Sequence, residues 1–154
     1  MRTLTLALFA AVLPLAGACA DDSQSGDDDE FVDCAKETAD QFVVDLEKKG
    51  TVLDVKLTSA LPAPPTRGDN EWIIHINTIA GAAPVTGATI QVTPFMPKHQ
   101  HGTPIDVKVE AQPGAGDYKL SPVNLWMPGV WETTIEMNSA SGTDQVVYKF
   151  CIPS

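Results

Sequence analysis

The sequence predicts a mainly β protein: an immunoglobulin-like antiparallel β-sandwich of about seven strands, with one N-terminal helix packed on a sheet. Two patterns predict this class. From residue 52 onward, apolar and polar residues alternate with a period of two, which is typical of strands that bury one face. Gly, Pro, Asn and Asp residues lie between the alternating stretches and mark turns.

Seven stretches carry this alternation. In the second stretch, for example, Trp72, Ile74 and Ile76 fall on one face, and in the sixth Trp131 and Ile135 do so. Such clean alternation favours antiparallel sheets with one face in the core. The predicted strands cover residues 52–60, 71–79, 88–93, 105–111, 118–125, 131–137 and 146–152.

Residues 31–49 show a helical pattern instead. Acidic residues crowd the start of this segment, and Lys48 and Lys49 precede Gly50 at its end, as the helix dipole and a C-terminal glycine favour. We therefore predict an amphipathic helix lying across the outer face of a sheet. Its apolar stripe, spaced at three to four residues, consists of Phe31, Ala35, Ala39, Phe42 and Leu46.

The first 30 residues predict export. Residues 1–18 have a positive start and a short apolar stretch interrupted by Pro14, which indicates a signal peptide and not a permanent membrane span. The LAGAC sequence that ends at Cys19 resembles a bacterial lipobox, so we predict lipid attachment at Cys19 in the periplasm or at the outer membrane. The alternative is cleavage after Ala20, which would leave a soluble exported chain. Residues 19–30 are predicted to be an acidic, disordered tether.

The remaining cysteines predict a disulfide. If Cys19 is lipidated or lost with the leader, Cys34 and Cys151 remain. Export places them in an oxidising compartment, where a cysteine pair at the two ends of a small domain is expected to be bonded. Residues 31–154 are therefore expected to form a single domain.

The charge of the chain is concentrated near its start. Ten Lys and Arg residues against twenty Asp and Glu residues give a formal net charge of −10. Residues 21–47 hold eleven acids and one base, whereas residues 55–154 hold eight acids and six bases, a net charge of −2. We expect no nucleic-acid partner, because so acidic a chain repels polyanions.

Two Met-Pro turns contain the candidate metal ligands. His99 and His101 are two residues apart, so in an extended segment their side chains point the same way. Met96 precedes them, and Met127 lies in the second turn. Thioether sulfur and imidazole nitrogen together suit copper, so Met96, His99, His101 and Met127 are predicted to form a copper site. The alternative is that the methionines pack and the histidines hydrogen-bond backbone carbonyls to fix the turn.

Motifs for catalysis are missing from the sequence. It contains no G-x-S-x-G, H-E-x-x-H or phosphate-binding loop, and we expect no enzymatic activity. A blue-copper centre needs a thiolate beside its histidines, and no cysteine is near His99 or His101 in sequence. By its parity on the second strand, His75 lies opposite the core face and is expected to be exposed.

Three segments carry a family resemblance. GDNEWIIHI, TPFMPKHQHG and NLWMPGVWETTIEM, in that order, resemble the YtkA-like domain, which has relatives in the FixH-like group. The resemblance covers about residues 53–137. It implies a small extracytoplasmic module that handles copper, with Met96, His99, His101 and Met127 at the motif positions.

We therefore expect an exported, lipid-anchored module that captures or delivers copper without catalysis. A metal-delivery or envelope protein would be its partner. The alternative is a structural or protein-interaction module without metal. A third option is a small-ligand carrier that uses the corner at Trp126.

Overall fold

Antiparallel strands make up most of this computed structural model, which describes residues 31–154. The predicted signal peptide, the predicted tether and Cys19 lie outside the described residues. Within residues 31–154 no helix has the length and apolar character needed to cross a membrane. The strands are β1 (Leu46–Lys49), β2 (Leu53–Leu61), β3 (Gly68–Thr78), β4 (Thr89–Met96), β5 (His101–Gly102), β6 (Lys108–Ala111), β7 (Asp117–Leu125), β8 (Gly129–Ser139) and β9 (Gly142–Ile152).

Two sheets enclose one hydrophobic core. The first has the strand order β1-β2-β3-β7-β6 and the second β5-β4-β8-β9, and every pairing is antiparallel. Both sheets contribute inward-facing side chains to a single buried cluster, so the sheets stabilise each other. Its largest fully buried side chains are Trp72, Trp131, Tyr148, Leu53, Leu57, Ile74, Ile76, Met96, Leu120, Leu125, Ile135 and Met137.

The mainly β, antiparallel prediction is confirmed, and all seven predicted strands are present. The fourth is shorter than predicted, because β6 begins at Lys108 and not at residue 105. Residues 103–107 instead connect β5 in one sheet to β6 in the other. Ile105 is consequently 41% exposed. β1 and β5 are additional short strands.

The predicted N-terminal helix over residues 31–49 is wrong. The hydrogen bonds of this segment go to the sheets: the Asp40 N–H donates to the Lys149 carbonyl (2.7 Å), and Leu46–Lys49 pair with β2. The helical stripe is not buried as a unit, since Phe31 is 80% exposed while Leu46 packs against the core. The charge pattern favours a helix, but pairing with distant strands gives hydrogen-bond partners to the backbone N–H and C=O groups that a helix would have bonded internally. Tertiary contacts therefore override the local helical preference.

Two contacts fasten the N-terminal segment to β9. Cys34 and Cys151 form the predicted disulfide, with their Cα atoms 5.6 Å apart. The Asp40 carboxylate accepts a hydrogen bond from the Lys149 N–H (2.8 Å) and pairs with the Lys48 ammonium (2.6 Å). The segment therefore stays in place without helical structure.

Asp144 closes the turn between β1 and β2. One carboxylate oxygen of Asp144 accepts the N–H groups of Thr51 (2.7 Å), Val52 (2.8 Å) and Leu53 (2.9 Å). Burial opposes ionisation of this carboxyl, but the backbone donors outweigh it and hold the pKa of Asp144 below its ordinary value. Gly50 leaves room for the carboxylate, since a Cβ there would fall 2.2 Å from an Asp144 oxygen.

Removing the disulfide should lower the free energy of unfolding by about 4–5 kcal/mol, because the bond closes a loop with a sequence separation of 117 residues. The test is urea denaturation of a Cys34→Ala/Cys151→Ala variant beside oxidised and reduced wild type. Reduced wild type should match the variant. A variant as stable as oxidised wild type would contradict the prediction.

Replacing Asp144 by Asn should cost about 1–2 kcal/mol at pH 7, because charge-assisted hydrogen bonds to three backbone donors are weakened. A carboxyl with a lowered folded pKa stabilises the fold above its unfolded pKa, about 3.9, and loses that effect as pH falls through the folded value. The stability difference should therefore shrink below about pH 4. Thermal unfolding between pH 3 and pH 7 measures it, with exposed Asp106→Asn as control.

Candidate metal site

The two Met-Pro turns meet at one end of the sandwich. β4 and β5 form a hairpin that pairs only through Phe95 with Gly102 and Met96 with His101. Directly opposed residues of an antiparallel pair extend from the same face of the sheet. Met96 is fully buried in the core, so His101, which is partly buried, lies on the inward side beside it.

A four-residue loop, residues 97–100, carries His99. The loop closes through the His99 N–H, which donates to the Met96 carbonyl (3.3 Å), and through the Gln100 amide, which donates to the Pro97 carbonyl. Gln100 has a φ of 56°, so it adopts the left-handed conformation that turns the chain back into β5. The His99 side chain is exposed at the tip of the hairpin.

The two histidine rings are close enough to share a metal ion. Their centroids are 5.8 Å apart, with an interplanar angle of 62°. With metal–nitrogen bonds of about 2.0–2.1 Å, two imidazoles on one ion place their centroids between roughly 5 Å at a tetrahedral angle and roughly 6.4 Å when collinear. The observed separation falls inside that interval.

The hydrogen bond of His101 selects its tautomer. Nδ1 of His101 lies 3.1 Å from the Gly102 carbonyl oxygen, which only accepts hydrogen bonds. Nδ1 must therefore carry a proton, and in the neutral ring the lone pair is on Nε2. Nε2 is therefore the nitrogen of His101 with the lone pair that a metal ion needs. The predicted backbone hydrogen bond of a turn-fixing histidine is thus present, but it uses one nitrogen only.

Two tryptophans wall in the His101 ring. Trp126 stacks on it, with centroids 5.2 Å apart and planes 28° apart, and Trp131 meets it at 6.1 Å and 68°. Trp131 is fully buried, as its strand parity predicts, whereas Trp126 is 42% exposed. The ring is held between the core and an outer indole.

The second turn reaches the cluster at Met96. Gly129 has a φ of 131°, and a Cβ there would fall 2.9 Å from the Met96 Cε and 3.4 Å from its sulfur. Only glycine combines this backbone conformation with this close approach. Met127 is partly buried in the same turn, and its carbonyl accepts a hydrogen bond from the Trp131 indole (3.0 Å). The structure thus ties Met127 to the cluster through its main chain.

A polar network supports the hairpin from the other sheet. Asn124 on β7 is buried, and its amide donates to the Asp69 carboxylate (2.6 Å) while its carbonyl oxygen accepts the Thr103 hydroxyl (3.0 Å). Arg67 donates to the Trp126 carbonyl (2.9 Å). These contacts fix the chain on both sides of the His101–Trp126 stack.

The donors that meet here are soft or neutral. Among the described residues, no three His, Cys, Asp or Glu side chains gather into a metal-binding group. The structure brings the His99 and His101 rings together and pairs Met96 with His101 across the hairpin. His75 lies elsewhere: its Nδ1 donates to Asp117 (2.5 Å), and it is half-buried on β3, not exposed as its parity predicted.

Sequence reasoning missed the stack of Trp126 on His101 and the role of Gly129. The sequence does contain a signal for Gly129. A glycine after Met-Pro in a turn indicates a positive backbone φ and a neighbouring side chain packed closely against it. The partner in the stack has no comparable signal, because Trp126 and His101 belong to different loops.

Neutral His101 should be the Nδ1–H tautomer. Long-range ¹H–¹⁵N NMR at pH 8 should show a protonated Nδ1 and an unprotonated Nε2, because the Gly102 carbonyl fixes the proton. Exposed His99, with no such carbonyl bond recorded among the described residues, serves as internal comparison. A dominant Nε2–H form at His101 would contradict the geometry.

Two solved structures are similar to this fold at 11% sequence identity. Both are of FetP from uropathogenic Escherichia coli strain F11: the 'as isolated' protein, recombinantly expressed in the periplasm of E. coli, and a copper-bound variant. Their alignments cover 70% and 68% of this chain and 93% of each FetP chain, with TM-scores of 0.46 and 0.43. No curated protein matches the chain significantly.

The family model described as YtkA-like matches residues 47–136. This range runs from β1 to β8, includes both Met-Pro turns, and covers more than half of the chain. The chain belongs to the YtkA-like family.

Proposed function

We propose that this protein binds one copper ion through His99, His101 and Met96, with Met127 adjoining the site, and that it captures or delivers the ion without catalysis. The observation that carries the proposal is the direct opposition of Met96 and His101 across the hairpin, with the lone pair of neutral His101 on Nε2. His99 at the loop tip supplies the second imidazole at a compatible ring separation.

The donor chemistry favours Cu(I). Imidazole and thioether are neutral, and thioether sulfur is a soft ligand that selects Cu(I). Zinc sites take thiolate, imidazole or carboxylate ligands, and His99 and His101 supply only two of these. A bound copper ion would be cargo. Its ligands, neutral imidazole and thioether, would not have to lose a proton on binding.

The exported location is part of the same proposal. The Cys34–Cys151 disulfide fits an oxidising compartment, and residues 1–18 have the composition of a signal peptide. Lipid attachment at Cys19 would then hold the domain on an acidic tether, in the periplasm or at the outer membrane, near a metal-delivery or envelope partner. The mass of the mature N-terminus distinguishes attachment at Cys19 from cleavage after Ala20.

A protein-interaction module without metal is the second candidate. It is favoured by Trp126 and Ile105, which are 42% and 41% exposed beside the hairpin. In that case the His101 bond to the Gly102 carbonyl would only fix the turn. The two candidates differ in whether the histidines affect copper binding or only stability.

Anaerobic calorimetry with Cu(I) should give one equivalent bound by wild type and no binding by His99→Ala/His101→Ala. His75→Ala is the matched control, because His75 pairs with Asp117 away from the site, and it should bind like wild type. Met96→Leu should keep the fold, since the two side chains have similar volumes, and weaken Cu(I) binding at least about tenfold.

Two outcomes would overturn the copper proposal. The first is no heat above buffer for wild type. The second is equal binding by wild type and the double histidine variant. Loss of thermal stability in that variant, without any change in copper content, would instead support the interaction module.

A further inference from the structure

Trp126 is exposed and yet fixed at several atoms. Its ring stacks on His101, its indole N–H points to the Gly102 carbonyl (3.4 Å), and its own carbonyl accepts a hydrogen bond from Arg67 (2.9 Å). With 42% of its surface exposed, it adds less to the core than the fully buried Trp72 and Trp131. The contacts of its side chain end on the hairpin that carries the histidines.

The Gly102 carbonyl connects Trp126 to the tautomer of His101. That oxygen faces both the indole N–H and the His101 Nδ1–H. The stacked indole restricts rotation of the imidazole, and the shared carbonyl fixes which nitrogen keeps the proton. Both effects preserve the same arrangement, with Nε2 left to a ligand.

We propose that Trp126 is a positioning residue of the metal site, which holds the His101 ring for copper. This inference rests on the proposed function. An imidazole that ligates a cation carries part of its charge, and a charged ring over an indole face is stabilised by the cation–π interaction. The stack therefore strengthens when metal binds.

The test is a double-mutant cycle of Trp126→Leu and His101→Ala, with Trp126→Phe as the conservative variant. Alone, Trp126→Leu should weaken Cu(I) binding by about 3- to 30-fold, the range expected for a lost cation–π contact. In the His101→Ala background the same substitution should have little effect, because Trp126 acts through His101. Trp126→Phe should recover most of the affinity, since an aromatic face remains.

Two further readouts separate positioning from a general loss of structure. In the metal-free protein, the ring protons of His101 should move downfield in Trp126→Leu, because the indole ring current is gone. The Cu(I) affinity should be unchanged in Ile105→Ala, a second exposed apolar residue near the hairpin.

Wild-type affinity in Trp126→Leu, or an equal loss in both backgrounds, would overturn the inference while leaving the copper proposal intact. Unshifted His101 ring protons would overturn it as well. Absence of Cu(I) binding by wild type would remove the copper proposal and the affinity role of Trp126 together.

Discussion

The opposition of Met96 and His101 across the β4–β5 hairpin is the constraint on which the candidate site depends. β5 has only two residues, so a single pair of cross-strand positions places a core methionine and a loop histidine on the same face. The methionine is anchored by burial, and the histidine by the Gly102 carbonyl and the Trp126 stack. Met96 therefore belongs to the core, while His99 lies at an exposed loop tip.

Contacts at both ends of β9 hold the rest of the sandwich together. The disulfide and the Asp40 contacts hold the N-terminal segment against β9, and Asp144 closes the β1–β2 turn. The β9 strand pairs along its length with β8, whose first residue is Gly129 in the second Met-Pro turn. In this pairing Cys151 lies opposite Val130, so the disulfide joins the sandwich one residue from Gly129.

The strands could be predicted from sequence because each sheet buries one face, and this imposes the period of two that Trp72, Ile74 and Ile76 display. The segment over residues 31–49 could not, because its structure depends on partners far along the chain. Asp40, for example, is bound to Lys149. The charge pattern of residues 31–49 reflects only neighbouring residues, so it cannot predict contacts with a distant strand such as β9.

The candidate site, like the fold, could be predicted from sequence only where it depends on residues that are close together in the chain. The segment from His99 to His101 is not extended as predicted, because Gln100 adopts a left-handed conformation. The two rings still lie near each other, and the opposition of His101 to Met96 depends on the four-residue loop. Trp126 joins from a turn that sequence places 25 positions beyond His101, so only the packing of the sheets reveals the stack. The local sequence pattern therefore identifies candidate ligands, and only the tertiary structure shows which residues orient them.

X-ray absorption spectroscopy of the Cu(I)-loaded protein tests the central claim most directly. Copper held by His99, His101 and Met96 should show nitrogen and sulfur scatterers in its first shell, and Met96→Leu should remove or reduce the sulfur contribution while the imidazole pattern remains. A first shell of nitrogen and oxygen alone in wild type, or a sulfur signal unchanged by Met96→Leu, would contradict the account.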